Sequence, residues 1–211
     1  MAWCWVCMSS DCVMRLPKRP RSEMQHTPRR ATARELAAAA WTMVESKPYP
    51  EVRFLSGAFA LLYGGPGAGK STMGMKLLDG IDGPVLYAAI EEGLGPAVAE
   101  RCSRLAVRRA DFHLVSGGNV DHLAEEVRQT QAKALCLDSV TVAQFLPREV
   151  RQLQESTKLP LLVGTAQVNK AGQVAGLKGW THEADVVLSL DEGGFTLEKS
   201  RYQPVGIQGE V

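Results

Sequence analysis

A chain of 211 residues, 45% apolar and 22% charged, has the length and composition of one globular domain with room for a small appendage. Its formal net charge of +1 names no dominant partner, no apolar run is long enough to span a bilayer, and the N-terminus lacks the charged region and apolar core of a secretory signal. Five scattered cysteines point to a reducing cytoplasm rather than a disulfide scaffold.

The leader comes first. Cys4, Cys7 and Cys12 have only His26 as a fourth donor, a spacing that fits no standard finger, so a zinc site and a plain leader both stay open. Arg15, Lys18, Arg19, Arg21, Arg29, Arg30 and Arg34 face the single acid Glu23, interleaved with Pro17, Pro20 and Pro28. This composition predicts a disordered basic leader over 1–31, either a solvated tail or an arm that touches nucleic acid. A folded core is expected over 32–211. It opens with a helix from about Thr32 to Glu45, with Leu36, Ala40, Met43 and Val44 on one face, ended by Pro48 and Pro50. A strand near Val52–Leu55 and a turn at Ser56 and Gly57 follow.

The chain then reaches its organising stretch. The apolar run 58–63 is a buried strand, and it feeds Gly64, Gly65, Pro66, Gly67, Ala68, Gly69, Lys70, Ser71 and Thr72. This is the pattern G-x-x-x-x-G-K-[ST], followed by a helix start at Met73, Met75, Leu77 and Leu78. The glycines let successive backbone N–H groups turn inward to cradle phosphate oxygens, and the helix adds its positive dipole end. Lys70 is expected to reach the β- and γ-phosphates, Ser71 to ligate Mg²⁺, and Thr72 to offer a hydroxyl near the α-phosphate. The implied ligands are ATP and Mg²⁺.

Downstream, strands and helices alternate. Strand 85–90 delivers Glu91 and Glu92, a helix runs from Ala97 to Leu105, and Phe112–Val115 is a strand. A helix follows from Val120 to Gln131. Strand 133–139 ends in Asp138, the Walker B layout, where Asp138 would hold Mg²⁺ through water. A helix spans Arg148 to Thr157, strand 161–166 ends at Gln167, and strands 184–190 and 195–200 close the core. The alternation predicts an α/β fold with a mostly parallel central sheet flanked by helices on both faces, and ligands at the C-terminal strand ends, where all these polar residues fall, Lys199 and Arg201 at the end of the last strand among them.

Several motifs, in order, resemble the RecA-like ATPases, and in particular the bacterial DNA-repair family RadA, also called Sms. The Glu91-Glu92 pair followed by Arg101-Cys-Ser-Arg104-Leu105, the segment 168–176, the strand from His182 to Leu188, and Lys199-Ser200-Arg201-Tyr202 with Gly206 carry the likeness. Gln167-Val168-Asn169-Lys170 is similar to an element of DnaB-type helicases. Leu177 stands where RadA has a proline, and Gln203-Pro204-Val205 separate Tyr202 from Gly206. The resemblance covers roughly residues 56–206 and implies a RecA-like P-loop ATPase, a hexameric ring and single-stranded DNA as partner. It implies that Glu91, with Glu92 beside it, polarises the attacking water and that Gln167 senses the γ-phosphate. Lys199 and Arg201 would reach the nucleotide of the next subunit, and the segment from Asn169 to Gly179 would contact DNA through Lys170 and Lys178. Trp180 would stack on a base or anchor that loop. A KaiC-like regulatory ATPase that binds no DNA, or a core that binds ATP and barely turns it over, would have the same phosphate loop.

Overall fold

The computed structural model describes residues 30–168 and 177–211. Cys4, Cys7, Cys12, His26, most of the basic leader and Lys170 lie outside them. The described chain falls into two units, divided between Ala39 and Ala40. In the first, helix α1 covers only Ala33–Ala38. Thr32 caps it: its side chain accepts from Glu35 N, and the Glu35 carboxylate accepts from Thr32 N at 2.7 Å, a reciprocal capping box. The expected helix to Glu45 is therefore too long. Ala39 leaves it in extended conformation, and Met43 and Val44 form a strand instead. Val44 is β-branched and prefers a pleated surface.

The second unit, Ala40–Val211, holds the remaining elements. In chain order they are β1 (Met43–Val44), β2 (Phe54–Leu55), β3 (Ala58–Gly64), α2 (Lys70–Asp79), β4 (Val85–Ala89), α3 (Pro96–Arg104), β5 (Phe112–Val115) and α4 (Val120–Thr130). Then come β6 (Ala134–Asp138), α5 (Pro147–Thr157), β7 (Leu161–Gln167), α6 (Leu177–Glu183), β8 (Val186–Asp191), β9 (Gly194–Ser200) and β10 (Gln208–Glu210). β1 and β2 pair antiparallel, and the other strands form one eight-stranded sheet in the order β10-β9-β8-β3-β7-β6-β4-β5. From β8 to β5 every pairing is parallel, whereas β9 and β10 fold back antiparallel.

The central strands read as unbroken apolar runs because both faces of the sheet are covered. Along β3, Ala60 and Leu62 pack on one face with Met73, Leu77 and Leu78 of α2 and Val98 of α3. Phe59 and Leu61 pack on the other with Leu123 and Val127 of α4, Val150 and Leu153 of α5, and Trp180 of α6. Each buried Leu or Phe contributes about 1.5–3 kcal/mol, so two such layers fix the strand register firmly. Trp180 is buried, with its ring edge-on to Phe59 at 6.0 Å between centroids, so it anchors α6 to the core and is not available to stack on a base. Lys178 falls in the first turn of α6, a helix within what the sequence reads as loop.

Arg109 fixes the far end of α2. Its guanidinium donates to the carbonyls of Asp79 at 3.0 Å, Ile81 at 2.6 Å and Gly83, and to the Asp111 carboxylate. A cation on the last carbonyls of a helix satisfies groups with no intrahelical partner and complements the dipole.

Candidate nucleotide site

The phosphate loop sits between the end of β3 and the start of α2. Gly64 must lack a side chain, because a Cβ there would collide with the Leu190 carbonyl oxygen of the neighbouring strand β8. Gly69 is the N-cap of α2 at φ 90°, a left-handed conformation open to glycine at little cost. No side chain caps α2, so its first N–H groups, which lack intrahelical acceptors, face the cleft. Lys70 is buried and donates through Nζ to the Gly64 and Gly65 carbonyls at 3.0 and 2.6 Å. Burial pulls its pKa down, opposed by the nearby Asp138 and Glu91 carboxylates.

A cleft of about 370 Å³ opens here, lined by residues of the loop together with Glu91, Glu92, Arg101, Arg104, Asp138 and Gln167. The sheet order explains the gathering. β4, β6 and β7 end side by side next to β3, so Glu91, Asp138 and Gln167 leave neighbouring strands at the same edge. The Ile90 and Glu91 N–H groups donate to the Asp138 carbonyl at 2.7 and 3.0 Å, tying the end of β4 to that of β6. The Gln167 amide donates to Glu91 Oε1 at 2.6 Å across the mouth of β6.

The acidic pair divides. Glu92 is held by both terminal nitrogens of Arg101, each at 2.7 Å, and this guanidinium keeps its carboxyl below the usual range. Among the described residues no arginine pairs with Glu91; its carboxylate accepts from Gln167.

Two residues not singled out from the sequence complete the floor. Tyr87 of β4 and Thr165 of β7 donate their hydroxyls to opposite oxygens of the buried Asp138, Thr165 at 2.5 Å. Burial pushes the Tyr87 phenol far above its ordinary range, so it remains a donor. Their signal was available: a hydroxyl in the middle of a fully buried strand must find a partner.

Lys199 and Arg201 lie elsewhere. Because β9 runs antiparallel, its end is at the sheet edge opposite the phosphate loop, which corrects the expectation that all the polar residues share one edge. The seven residues of β3 separate the two edges by about 20 Å at ~3.3 Å per residue. There Lys199 Nζ donates to the carbonyls of Thr181, His182 and Ala184 at 2.7, 3.1 and 2.6 Å, a cation on the end of α6. Arg201, about half exposed, pairs with Asp185 at 3.2 Å. The buried Asp185 also accepts from Phe59 N and from Arg151, both at 2.9 Å, binding the starts of β3 and β8 to α5.

The arrangement can be tested for the ligands the loop implies. A Gly-lined turn of backbone donors, a helix N-terminus and Lys70 fit a polyphosphate. Ser71 and the oriented Asp138 fit an ion that keeps waters and borrows oxygens from phosphate, as Mg²⁺ does. Among the described residues no cluster of three or more His, Cys, Asp or Glu is gathered to hold a metal without such help. Among them, too, no helix is long and apolar enough to cross a membrane.

No family model matches the chain. It is 23% identical over 218 residues to the DNA repair protein RadA of Bacillus subtilis, an alignment covering 89% of this chain and 46% of that protein. It is 30% identical over 151 residues to the RadA of Salmonella typhimurium, covering 64% of this chain and 33% of that one. The chain thus spans a third to just under half the length of the curated relatives it matches. Among solved structures, a KaiC-like protein from the hyperthermophilic archaeon Pyrococcus horikoshii superposes with a TM-score of 0.59 at 19% identity, over 80% of this chain and 94% of that one. The chain has a RecA-like core, similar in sequence to RadA and in fold to the KaiC-like protein.

Proposed function

We propose that this chain is the ATP-hydrolysing core of a RadA-type ATPase that assembles into a homo-oligomeric, six-membered ring and acts on single-stranded DNA in repair, recombination or replication. The observation that carries the reading is Glu91, held by Gln167 at 2.6 Å at the rim of the cleft that Lys70 and Asp138 line. The loop 64–72 binds the phosphates of ATP through its backbone donors, Lys70 leaves the loop carbonyls for the β- and γ-oxygens, and Thr72 faces the α-phosphate. Ser71 and Asp138 hold Mg²⁺, which when bound draws charge from the phosphate oxygens and orients them for displacement. Glu91 takes the proton of the attacking water, as a general base must from within hydrogen-bond reach. Gln167 holds that carboxylate in place and, bonded to it, is set to register loss of the γ-phosphate. Glu92, neutralised by Arg101, supports the turn rather than the proton transfer.

Arg201 cannot reach its own cleft from the opposite sheet edge, which supports action on the nucleotide of a neighbouring subunit. Lys199 holds α6 beside it, and the pair together would form the finger. DNA contact is assigned to the segment after Gln167, through Lys170 and Lys178, with residues 1–31 as a separate basic arm.

Adding single-stranded DNA to the chain with ATP and Mg²⁺ should raise hydrolysis. Lys170→Ala and Lys178→Ala should each weaken single-strand binding and lower the slope of log affinity against log salt by about 0.7. A titration of labelled oligonucleotide at several salt concentrations reads this. A rate indifferent to DNA would favour a ring that works as a switch without it. Loss of binding on deleting residues 1–31, with both lysine variants unaffected, would move the contact to the arm.

A further inference from the structure

The best-built feature of the site is the seat of Asp138, and nothing in the hydrolytic reading above requires it. β6 lies between β4 and β7, and each neighbour sends one hydroxyl to the carboxylate: Tyr87 to Oδ2 and Thr165 to Oδ1. All three residues are buried. A carboxylate oxygen offers two lone-pair directions, so one donor on each oxygen fixes the plane of the group and leaves one direction free on each. Of the three residues only Asp138 lines the cleft, so its carboxylate is what an ion or its waters there would meet. A buried carboxylate with no such donors would lose its bonds, and its rotation about the side-chain torsions would no longer be fixed.

We propose that Tyr87 and Thr165 are positioning residues for the metal: by holding Asp138 from both sides, they set the affinity for the divalent cation without touching nucleotide, water or ion. The proposal rests on the reading of Asp138 as a Mg²⁺ residue. Groups that orient a ligand from behind are worth about 10–100-fold in metal affinity when removed. The hydroxyls stand behind the carboxylate and apart from the loop donors, so binding of a nucleotide without metal should be indifferent to them.

The test uses the whole chain and fluorescent ADP, titrated with Mg²⁺, and with Mn²⁺ read by paramagnetic resonance. For Tyr87→Phe and for Thr165→Val, the half-saturating metal concentration should rise about 10- to 100-fold. Affinity for the fluorescent ADP in excess chelator should stay within twofold of the parent. Thr165→Ser, which restores a hydroxyl, should recover the parental metal affinity, a rescue that simple loss of packing would not give. If Tyr87→Phe proves unfolded, the Val and Ser variants at 165 decide alone. Unchanged half-saturation in a folded Phe or Val variant overturns the proposal, as does a Val variant that loses chelated and metal-bound nucleotide equally. If the unaltered chain shows no metal-dependent ADP binding, the assignment of Asp138 itself fails, a result distinct from either.

Discussion

A Glu91→Gln chain should bind ATP as tightly as the parent and turn it over about 10²-fold or more slowly. The amide has the size of the carboxylate and can still meet Gln167, so the 2.6 Å contact and the cleft it borders survive. What is lost is the basic oxygen, and removal of a positioned general base typically costs 10²–10⁴-fold. A hundredfold corresponds to about 2.7 kcal/mol in the barrier, more than a change in an exposed hydrogen bond supplies. Glu92→Gln should do much less to the rate, since Glu92 answers to Arg101 on its own subunit. Phosphate release and equilibrium binding of labelled ATP, measured on both variants, separate the two glutamates. Normal turnover in Glu91→Gln together with a dead Glu92→Gln would reverse their roles.

Two inactive variants should become active when mixed. An Arg201→Ala subunit keeps its phosphate loop and Glu91 but offers no finger. A Glu91→Gln subunit keeps Arg201 but hydrolyses at least about 10²-fold more slowly. Arg201 sits at the sheet edge opposite its own cleft, so under the proposed reading a defect there would fall on the neighbour's nucleotide. Mixed assemblies therefore contain interfaces where a sound site meets a sound finger, and hydrolysis should reappear in proportion to their fraction. A transition-state cation supplied from a neighbour is worth about 10³–10⁵ in rate, so the recovery should stand far above the background of either parent. It should also depend on protein concentration. Mixtures that demonstrably co-assemble and yet stay as inactive as their parents would mean that each site is complete within one subunit.

Much of the architecture was legible because the chemistry is written locally. β3, β4, β6 and β7 are apolar runs buried on both faces, and α3, α4 and α5 begin and end within a residue or two of their sequence signals. The phosphate loop could be read from its glycines with Lys70 and Ser71, set between an apolar strand and a helix start. What stayed hidden depends on pairing between distant segments. The direction of β9 was the costliest omission, yet its signal was present. Glu192 and Gly193 connect paired Asp191 and Gly194, both with positive φ, 39° and 87°, as a two-residue hairpin turn requires. Reading that turn would have placed Lys199 and Arg201 at the far edge from the start. Asp185 looked like an ordinary acid opening a strand. Only the fold brings Arg151, Arg201 and the Phe59 N–H to it. Tyr87 and Thr165 read as strand-forming residues, and their hydroxyls acquire meaning only once β6 is inserted between their strands. The short α1 and the strand at Met43–Val44 were misjudged because a helical face and a half-buried ribbon share the same few apolar residues.

The most direct test of the central claim is steady-state phosphate release from ATP by the full chain with Mg²⁺, beside Lys70→Ala and with chelator as controls. The account predicts release that requires the metal, rises on addition of single-stranded DNA, and disappears with Lys70→Ala along with tight ATP binding. Phosphate release from the parent chain no faster than from Lys70→Ala, at concentrations where the parent binds ATP and assembles, would contradict it.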